Sequence, residues 1–362
     1  MGEYRSQHFV PRAYLKHFSS PKNRKAVGLF NIERGLYVDE APIKSQCAKP
    51  FLYGKDELEN ILAEVESKYD LWIGRGALAD PPAVPDDIDA FVQFFTMIQF
   101  LRTEYAAIRA RAQFTMMDQL ARIPTDSEFS ISKLDTSDTA MVRMGVQSSL
   151  KFKDVIADLK LAFIRNKSSV PFVTSDDPVA FANRFASQRL KSDNFGFAQT
   201  GALFWLALSP AVGALLYDRD AYSVAKDSKW WATLDKDRDA RALNELIFIK
   251  ARENIYFSSS AHFDEPRFVA AKPRRITNWQ TGTVLIPAEH NGDGKLYVRA
   301  EEAPESGQYL ITTSTHYPIP SSWPSFLKMR SPVISYTNGS AVGYVRKGAA
   351  VAEGYSVRRV RL

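Results

Sequence analysis

Apolar and polar residues alternate along the chain with two different periods, and these periods predict its elements. Residues 26–32 and 36–38 are mainly apolar and flank Gly35, a pattern that predicts a hairpin of two strands. Residues 56–73 instead repeat apolar side chains every three or four positions, which predicts an amphipathic helix. The prolines within residues 80–85 end this helix.

Residues 86–120 form the longest predicted helix, and its apolar side chains cover about half of the helical circumference. Two long polar side chains, Gln99 and Arg102, fall inside this apolar arc. An unpaired buried polar group costs on the order of 1 to 3 kcal/mol, and an unpaired charge costs more. We therefore predict that Arg102 is buried and paired with a carboxylate. Its candidate partners are Asp176, Asp177 and Glu57.

The period changes near residue 160, where strand patterns replace helical ones. A third helix is predicted over residues 139–160, and residues 161–165 and 170–174 alternate like the two strands of a hairpin. Further strands are predicted over 202–208, 213–217 and 254–258, and a further helix over 237–251. Because helices and strands are segregated, we predict an α+β fold with a helical amino-terminal half packed with an antiparallel sheet.

From about residue 268 the chain consists of short apolar runs separated by glycine, proline, asparagine and serine. This texture predicts a small, mainly β region. We therefore divide the chain into an α+β main domain over residues 1–265 and a β-rich carboxy-terminal appendage over 266–362. We expect a chain that ends near residue 265 to stay folded and to lose nucleic-acid affinity mainly at low ionic strength.

Composition indicates a globular chain with a mild excess of positive charge. Hydrophobic residues make up 45% and aromatic residues 12% of the 362 residues, which supplies a substantial core. The net charge of +6, with basic clusters at residues 272–275 and 358–361, fits either solvated faces or a nucleic acid or other polyanion as partner. Cys47 is the only cysteine, which excludes an internal disulfide and a zinc site built from several thiolates.

Several sequence signatures are absent, and their absence narrows the expected class of protein. The chain has no signal-peptide pattern and no apolar run of the roughly 18 residues that a membrane span needs. Together with the single cysteine, this predicts a soluble protein of the cytoplasm. The glycine-rich dinucleotide motif, the P-loop, the lipase motif and the zincin motif are also missing from the sequence.

Residues 7–18 (QHFVPRAYLKHF) place Gln7, His8 and Arg12 among large apolar side chains. Terminal residues are usually frayed and polar, so this mixture predicts a terminus that is docked into the body. His8 is either a satisfied structural residue or a catalytic and metal-binding one. His17 fits the structural alternative better.

Ser175, Asp176, Asp177 and Pro178 come directly after a predicted strand. A rigid strand aims adjacent carboxylates and the following loop exposes them, as in metal or general-base sites. The same residues fit an Asx turn before proline, in which aspartate accepts backbone N–H groups. The sequence leaves both alternatives open.

Four glutamates flank the apolar stripe of the helix predicted over residues 56–73. They are Glu57, Glu59, Glu64 and Glu66. Charges on the flanks of an amphipathic helix are typically solvated, although one of the four could serve as a further metal carboxylate.

Four short motifs occur in a fixed order along the chain. They are QHFVP with the following YL and F in residues 7–18, FVTSDDPV at 172–179, LSP at 208–210 and LN at 243–244. Together they resemble the domain-of-unknown-function 4238 family over roughly residues 5–260. The resemblance implies a cytoplasmic, mostly microbial protein without an assigned reaction. Asp177 stands where that family often has asparagine, which argues against a strict requirement for two carboxylates.

We expect from these residues a metal-dependent phosphodiester hydrolase, specifically a nuclease that acts in host defence or as a toxin. Asp176 and Asp177 would bind Mg²⁺ or Mn²⁺ with His8 nearby, and the same three residues would be catalytic. Other polar motif residues would bind or orient the substrate. These are Gln7, Arg12, Gln99, Arg102 and Ser175.

The alternative hypothesis is a non-catalytic binding or effector module. In it, His8, Arg102 and Asp176 belong to a buried polar network that pins the amino terminus to the core, because a satisfied network specifies a fold without any chemistry. We also predict that residues 7–18 meet the loop at 175–178 in space, because both segments gather polar groups next to apolar side chains, as the lining of a shared site would.

Overall fold

The computed structural model describes residues 6–54, 58–121, 135–259, 263, 265–275, 281–290, 297–299, 309–340 and 342–362. Within these ranges the chain has the predicted α+β fold, with helices packed against two larger sheets. One cluster of buried apolar side chains extends from Phe9 to Val333 and serves both sheets. Among the described helices, none combines the length and the apolar character that crossing a bilayer requires.

Residues 6–50 form short elements that belong to the body of the protein. They are β1 (Ser6–His8), α1 (Arg12–Leu15), β2 (Ala26–Asn31), β3 (Leu36–Pro42) and β4 (Ala48–Pro50). Strands β2 and β3 are the predicted hairpin, and Gly35 at their turn has a φ of +62°, which favours glycine. Strand β1 pairs with β4, so the terminus is docked into the body as predicted.

Four helices follow, and one of the predicted helices is divided. They are α2 (Leu58–Tyr69), α3 (Ile88–Leu101), α4 (Glu104–Ala121) and α5 (Asp138–Val155). The prediction of a single helix over 86–120 is wrong, because the chain breaks at Arg102 and Thr103. The Thr103 hydroxyl accepts the N–H of Ala106 at 3.1 Å and so begins a new helix.

The middle of the chain supplies eight strands, and all of them except Tyr222–Val224 belong to the two larger sheets. They are β5 (Lys160–Asn166), β6 (Thr174–Ser175), β7 (Val179–Ala182), β8 (Leu203–Ser209), β9 (Val212–Tyr217), β10 (Tyr222–Val224), β11 (Trp231–Leu234) and β12 (Asn254–Phe257), with helix α6 (Asp237–Lys250) before β12. One sheet has the order β11-β5-β9-β8-β7, and the other has the order β3-β2-β12-β6. Only the β11–β5 pair is parallel among the pairs of these two sheets.

The predicted hairpin of residues 161–165 and 170–174 is wrong. Strand β5 pairs with β9 and β11, whereas β6 pairs with β12 in the other sheet. Asn166 does form a local turn with Val170, but the N–H of Phe172 then bonds the carbonyl of Pro210. The chain therefore crosses between the sheets, and the loop at 176–178 returns it from β6 to β7.

The remaining residues are mainly β, as predicted. Their elements are α7 (Glu265–Ala271), β13 (Thr281–His290), β14 (Tyr297–Arg299), β15 (Tyr309–Thr315), β16 (Leu327–Met329), β17 (Ile334–Thr337), α8 (Lys347–Ala352) and β18 (Arg358–Arg361). Strand β16 pairs with β10 of the body. The buried Arg346 donates to the carbonyls of Val155 and Phe197. The domain boundary near residue 265 stays a prediction.

Candidate functional site

The loop that joins the two sheets carries Asp176 and Asp177. Strand β6 ends at Ser175 and strand β7 begins at Val179, so the two aspartates are fixed from both sides. Ser175 is fully buried, and its hydroxyl accepts the N–H of Asp177 at 3.1 Å. This turn places the two neighbouring carboxylates in different surroundings.

Asp177 is the anion of a buried ionic centre. One of its oxygens accepts from Lys250 Nζ at 2.6 Å and from Arg109 Nη1 at 3.0 Å, and the other accepts from Thr103 Oγ1 at 3.2 Å. Arg109 and Lys250 are themselves buried and lie against the ring of Phe100. Burial lowers the pKa of Lys250 to about 7. We call these residues the Asp177 centre.

Asp176 is held by backbone N–H groups instead of cations. Its oxygens accept from the N–H groups of Arg252 at 2.9 Å, Glu253 at 2.8 Å and Asn254 at 3.0 Å. Burial raises the pKa of this carboxyl to about 6, although the three hydrogen bonds act in the opposite direction. The carboxyl therefore ties the loop to the start of strand β12.

Asp176 also lies at the floor of a polar cavity of about 160 Å³. The floor includes Cys47 and Tyr256, and the thiol donates to the Tyr256 hydroxyl at 3.3 Å. Burial raises the pKa of the Cys47 thiol, so the thiol is protonated and is a poor nucleophile. We call this space the Asp176 cavity.

The rim of the Asp176 cavity carries charges of both signs. Lys49 pairs with Glu104 at 2.5 Å, and Arg252 approaches Glu253 at 3.7 Å. The side chains of Lys49 and Arg252 are 37% and 35% exposed, although Arg252 Nε is itself buried and makes no hydrogen bond to any described residue. Two cations and two anions at the rim cancel, and the carboxylate of Asp176 leaves one net negative charge when it is ionised.

Gln7 and Gln99 belong to a scaffold around the amino terminus. Gln7 is buried, donates to the carbonyl of Gly54 at 2.9 Å and accepts the N–H of Tyr53 at 2.6 Å. Gln99 is fully buried and donates to the carbonyl of Phe9 at 2.9 Å. These two predicted substrate-binding residues therefore bind the chain itself.

Arg102 is buried and paired with a carboxylate, as predicted, but the partner differs. It donates to Glu66 at 2.9 Å, to the carbonyl of His8 at 2.6 Å and to the hydroxyl of Tyr53 at 3.0 Å. The predicted partners are Asp176, Asp177 and Glu57, and Glu57 lies outside the described residues. The first two are wrong because each carboxylate is bound by donors of its own, while helix α2 presents Glu66 to the end of α3.

The glutamates of helix α2 divide into two groups. Glu64 is exposed, as predicted. Glu59 and Glu66 are half-buried, and they accept hydrogen bonds from Gln7 and Arg102 respectively. The prediction that both are solvated is wrong, because this flank of the helix faces the docked amino terminus.

His8 lies beside the scaffold and not on the described lining of the Asp176 cavity. Its ring nitrogen Nε2 is 3.2 Å from the carbonyl of Lys44, and it shares no hydrogen bond with Asp176. Burial lowers the pKa of the His8 imidazole. Arg12 is exposed. The catalytic and binding roles of these residues stay predictions.

Residues 7–18 meet the region of the loop through other side chains. The hydroxyl of Tyr14 lies 2.6 Å from Thr174 Oγ1, immediately before the loop. Phe9 lines the Asp176 cavity. Aromatic residues of the opening stretch therefore provide the contact that we predicted for His8.

The donors around the two aspartates do not match a divalent-cation site. In the described part of the chain, no three His, Cys, Asp or Glu side chains are grouped so that they could hold a metal ion. Asp177 is neutralised by two cations, and Asp176 already accepts three N–H groups. The Mg²⁺ or Mn²⁺ site stays a prediction that these contacts do not favour.

The sequence reasoning missed Arg109 and Lys250. Arg109 follows Arg102 by seven residues, which is two turns of a helix. The argument for the burial of Arg102 therefore applies to Arg109 as well. Lys250 ends the apolar run LIFIK, and a lysine that continues such a run at a helix end is a signal of burial. The positions of Arg109 and Lys250 in the sequence therefore indicate that both residues belong to the core.

Comparison with known proteins identifies one family. A family profile described as "protein of unknown function (DUF4238)" matches residues 6–261. No curated protein and no solved structure matches the chain. The matched residues include both aspartates, the Asp177 centre and the whole described lining of the Asp176 cavity.

Proposed function

The chain belongs to the DUF4238 family, and we propose that it is a binding module. In this proposal the polar motif residues are a scaffold, and the ligand occupies the Asp176 cavity. The observation that carries the proposal is the separation of two environments at one loop. Asp177 is sealed by protein donors, whereas Asp176 faces a space that is open to solvent.

The scaffold is supported by what the motif residues contact. Gln7, Ser175 and Asp177 are buried and direct their polar atoms to protein partners. Buried polar groups that bind protein partners in this way fix one conformation. The cavity, in contrast, has a floor of hydrogen-bonding groups and charged side chains at the rim, which suits a small polar ligand.

A thermal-shift screen with small polar compounds tests this proposal. The screen compares the full chain with Ala48→Leu, which fills the cavity, because Ala48 lines it. Ala352→Leu, at the exposed end of helix α8, is the matched control. We expect a compound that raises the Tm of the wild type and the control but not of Ala48→Leu. If no compound has this effect, or if Ala48→Leu responds like the wild type, the cavity is not a binding site.

A phosphodiester hydrolase is the second candidate, and one observation favours it. The Asp176 carboxyl has a pKa raised to about 6 and shares its cavity with Lys49 and Arg252. A carboxyl that titrates near neutral pH suits general acid–base catalysis, and two cations suit a phosphate. Nuclease activity in defence or toxin biology, a nucleic-acid partner and a cytoplasmic location are parts of this candidate.

Calorimetric titration with Mg²⁺ and Mn²⁺, together with cleavage assays on DNA and RNA, decides between the candidates. Metal binding and cleavage that Asp176→Asn abolishes would favour the hydrolase. A chain that binds a small ligand in the cavity and cleaves neither nucleic acid would favour the binding module. Arg34→Met, in the exposed turn between β2 and β3, is a control for nonspecific loss of positive charge.

A further inference from the structure

We propose that the ligand of the Asp176 cavity is a small organic ammonium ion, bound through its N–H groups to the carboxylate of Asp176. This inference rests on the proposed binding function of the cavity. It adds the charge, the size and the contact group of the ligand.

The size of the cavity limits the ligand to a small molecule. Its volume of about 160 Å³ is close to that of a cavity of about 150 Å³ that binds one benzene molecule. A primary amine with a short carbon chain fits this space. A nucleic-acid strand or a folded protein segment could place only one end in it.

The Asp176 carboxylate at the floor of the cavity favours a ligand that donates a hydrogen bond. An ionised carboxylate has about four lone-pair sites. Asp176 uses one on Oδ1, for the N–H of Arg252, and two on Oδ2, for the N–H groups of Glu253 and Asn254. One site on Oδ1 therefore remains for a ligand. A charged N–H donor makes the strongest hydrogen bond with such an oxygen.

The balance of charge around the cavity selects a cation. Among the residues that line the cavity, Lys49 and Arg252 are matched in number by Glu104 and Glu253, so the ionised Asp176 gives the lining one net negative charge. No cation lies within hydrogen-bond distance of Asp176 among the described residues, and a bound ammonium ion would supply such a partner. An anionic ligand would instead add a second negative charge beside the carboxylate.

A comparison of the two aspartates shows why a cationic ligand would bind at Asp176 and not at Asp177. Asp177 has Arg109 and Lys250 as counter-charges within 3.0 Å. Asp176 has only neutral backbone donors among its described hydrogen bonds. An ammonium ligand would give Asp176 the kind of partner that Lys250 gives to its neighbour.

A matched series of compounds tests the sign of the ligand. The probes are 4-aminobutan-1-ol, 4-aminobutyrate and 4-hydroxybutyrate, which share a chain length and carry a cation, a zwitterion and an anion. Calorimetry with the full chain at neutral pH measures their affinities. We expect 4-aminobutan-1-ol to bind and 4-hydroxybutyrate to bind at least about tenfold more weakly, which is the effect of one charge-assisted hydrogen bond. Tighter binding of the anion overturns the proposal.

Two variants change the affinity for 4-aminobutan-1-ol in opposite directions. Asp176→Asn removes the acceptor charge, so we expect about a tenfold loss or more. Arg252→Met removes a repelling cation from the rim, so we expect a gain of about twofold to fivefold. Arg34→Met, the same substitution at an exposed turn, should leave the affinity unchanged. If Asp176→Asn does not fold, an unchanged or lower affinity of Arg252→Met still contradicts the proposal.

Failure of this proposal can be told apart from failure of the proposed function. If none of the three probes binds, but another compound stabilises the wild type and not Ala48→Leu, the cavity is a binding site and its ligand is not an ammonium ion. If no compound distinguishes the wild type from Ala48→Leu, both proposals are wrong.

Discussion

The Asp177 centre and the Asp176 cavity begin at adjacent residues of one loop, and they differ in almost every physical respect. Asp177 is fully buried, and two side-chain cations from helices α4 and α6 contact it. Asp176 is also buried, is bound by three neutral N–H groups and lines a cavity that opens to solvent. In the Asp177 centre the charges pair with one another and connect helices α4 and α6. In the Asp176 cavity the carboxylate has no charged partner in contact with it among the described residues and is available to a ligand.

The comparison shows that two aspartates that are adjacent in sequence do not necessarily act as one functional unit. The two residues lie in the turn between β6 and β7, and there each carboxylate meets different elements. Asp177 meets α4 and α6, and Asp176 meets the start of β12. Which of the two carboxylates is available depends on those elements, which lie some 70 residues away.

The largest effect should come from removing residues 266–362. Tyr317 and Lys250 line the same small space, and Arg346 is buried against the body, so truncation would open the Asp177 centre to water. These contacts lead us to expect that a chain ending at residue 265 aggregates or unfolds at much lower urea concentration. Circular dichroism during urea unfolding measures this. A cooperative transition like that of the full chain would instead support separable domains.

Asp177→Asn should destabilise the protein by about 3 to 5 kcal/mol, because it leaves two buried cations without their anion. Urea unfolding of the variant measures the free energy. Adding Lys250→Met should restore part of the loss, since it removes one of the unpaired cations. A cost below about 1 kcal/mol for Asp177→Asn would mean that the centre is hydrated and that the contrast with Asp176 is wrong.

Arg102→Met should cost about 2 to 4 kcal/mol, because it leaves Glu66, the His8 carbonyl and the Tyr53 hydroxyl without their shared donor. This variant extends the comparison to a second sealed network. Arg34→Met, at an exposed position, should change the free energy of unfolding by less than about 0.5 kcal/mol. Equal effects of the two variants would show that burial of Arg102 has no energetic consequence.

Asp176 should make the wild type less stable as the pH rises. Its pKa is about 6 in the folded protein and 3.8 as a free group, so the folded state binds the proton more tightly. Stabilisation from the protonated form is complete below pH 3.8 and is lost as the pH passes through about 6. Relative to Asp176→Asn, the free energy of unfolding of the wild type should fall by about 2 kcal/mol between pH 4 and 7. Urea unfolding at several pH values measures it, and a rise would contradict the buried environment of Asp176.

Much of the fold could be predicted from the sequence, because local periodicity determines most of its elements. The hairpin of β2 and β3, helix α6 and strands β8 and β9 lie close to their predicted bounds. Pairing between strands distant in sequence could not be predicted, and for that reason the hairpin expected at residues 161–174 is wrong. The break at Thr103 depends on one capping hydroxyl within an otherwise continuous helical pattern.

The sequence indicated which segments of the chain carry the candidate site, but it did not indicate which groups those segments contact. The opening stretch contacts Thr174, immediately before the loop at 175–178, through Tyr14, and Phe9 and Asp176 line the same cavity. The burial of Arg102 also followed from its position in an apolar arc. The identity of its partner did not, because Glu66 becomes a partner only when α2 packs against α3. A contact that forms only when two folded elements pack together leaves no periodic pattern in the sequence of either element.

The distance in sequence between Asp176 and its three donors has a consequence for synthesis on the ribosome. The loop needs residues 252–254, which are made 76 to 78 positions later. At typical rates of synthesis of about 5 to 20 residues per second, this delay lasts roughly 4 to 15 seconds. Throughout nearly all of that interval Asp176 lacks its three donors and Asp177 lacks Lys250, and strand β6 lacks its pairing partner β12. We expect nascent chains of this length to depend on chaperones until strand β12 emerges and pairs with β6.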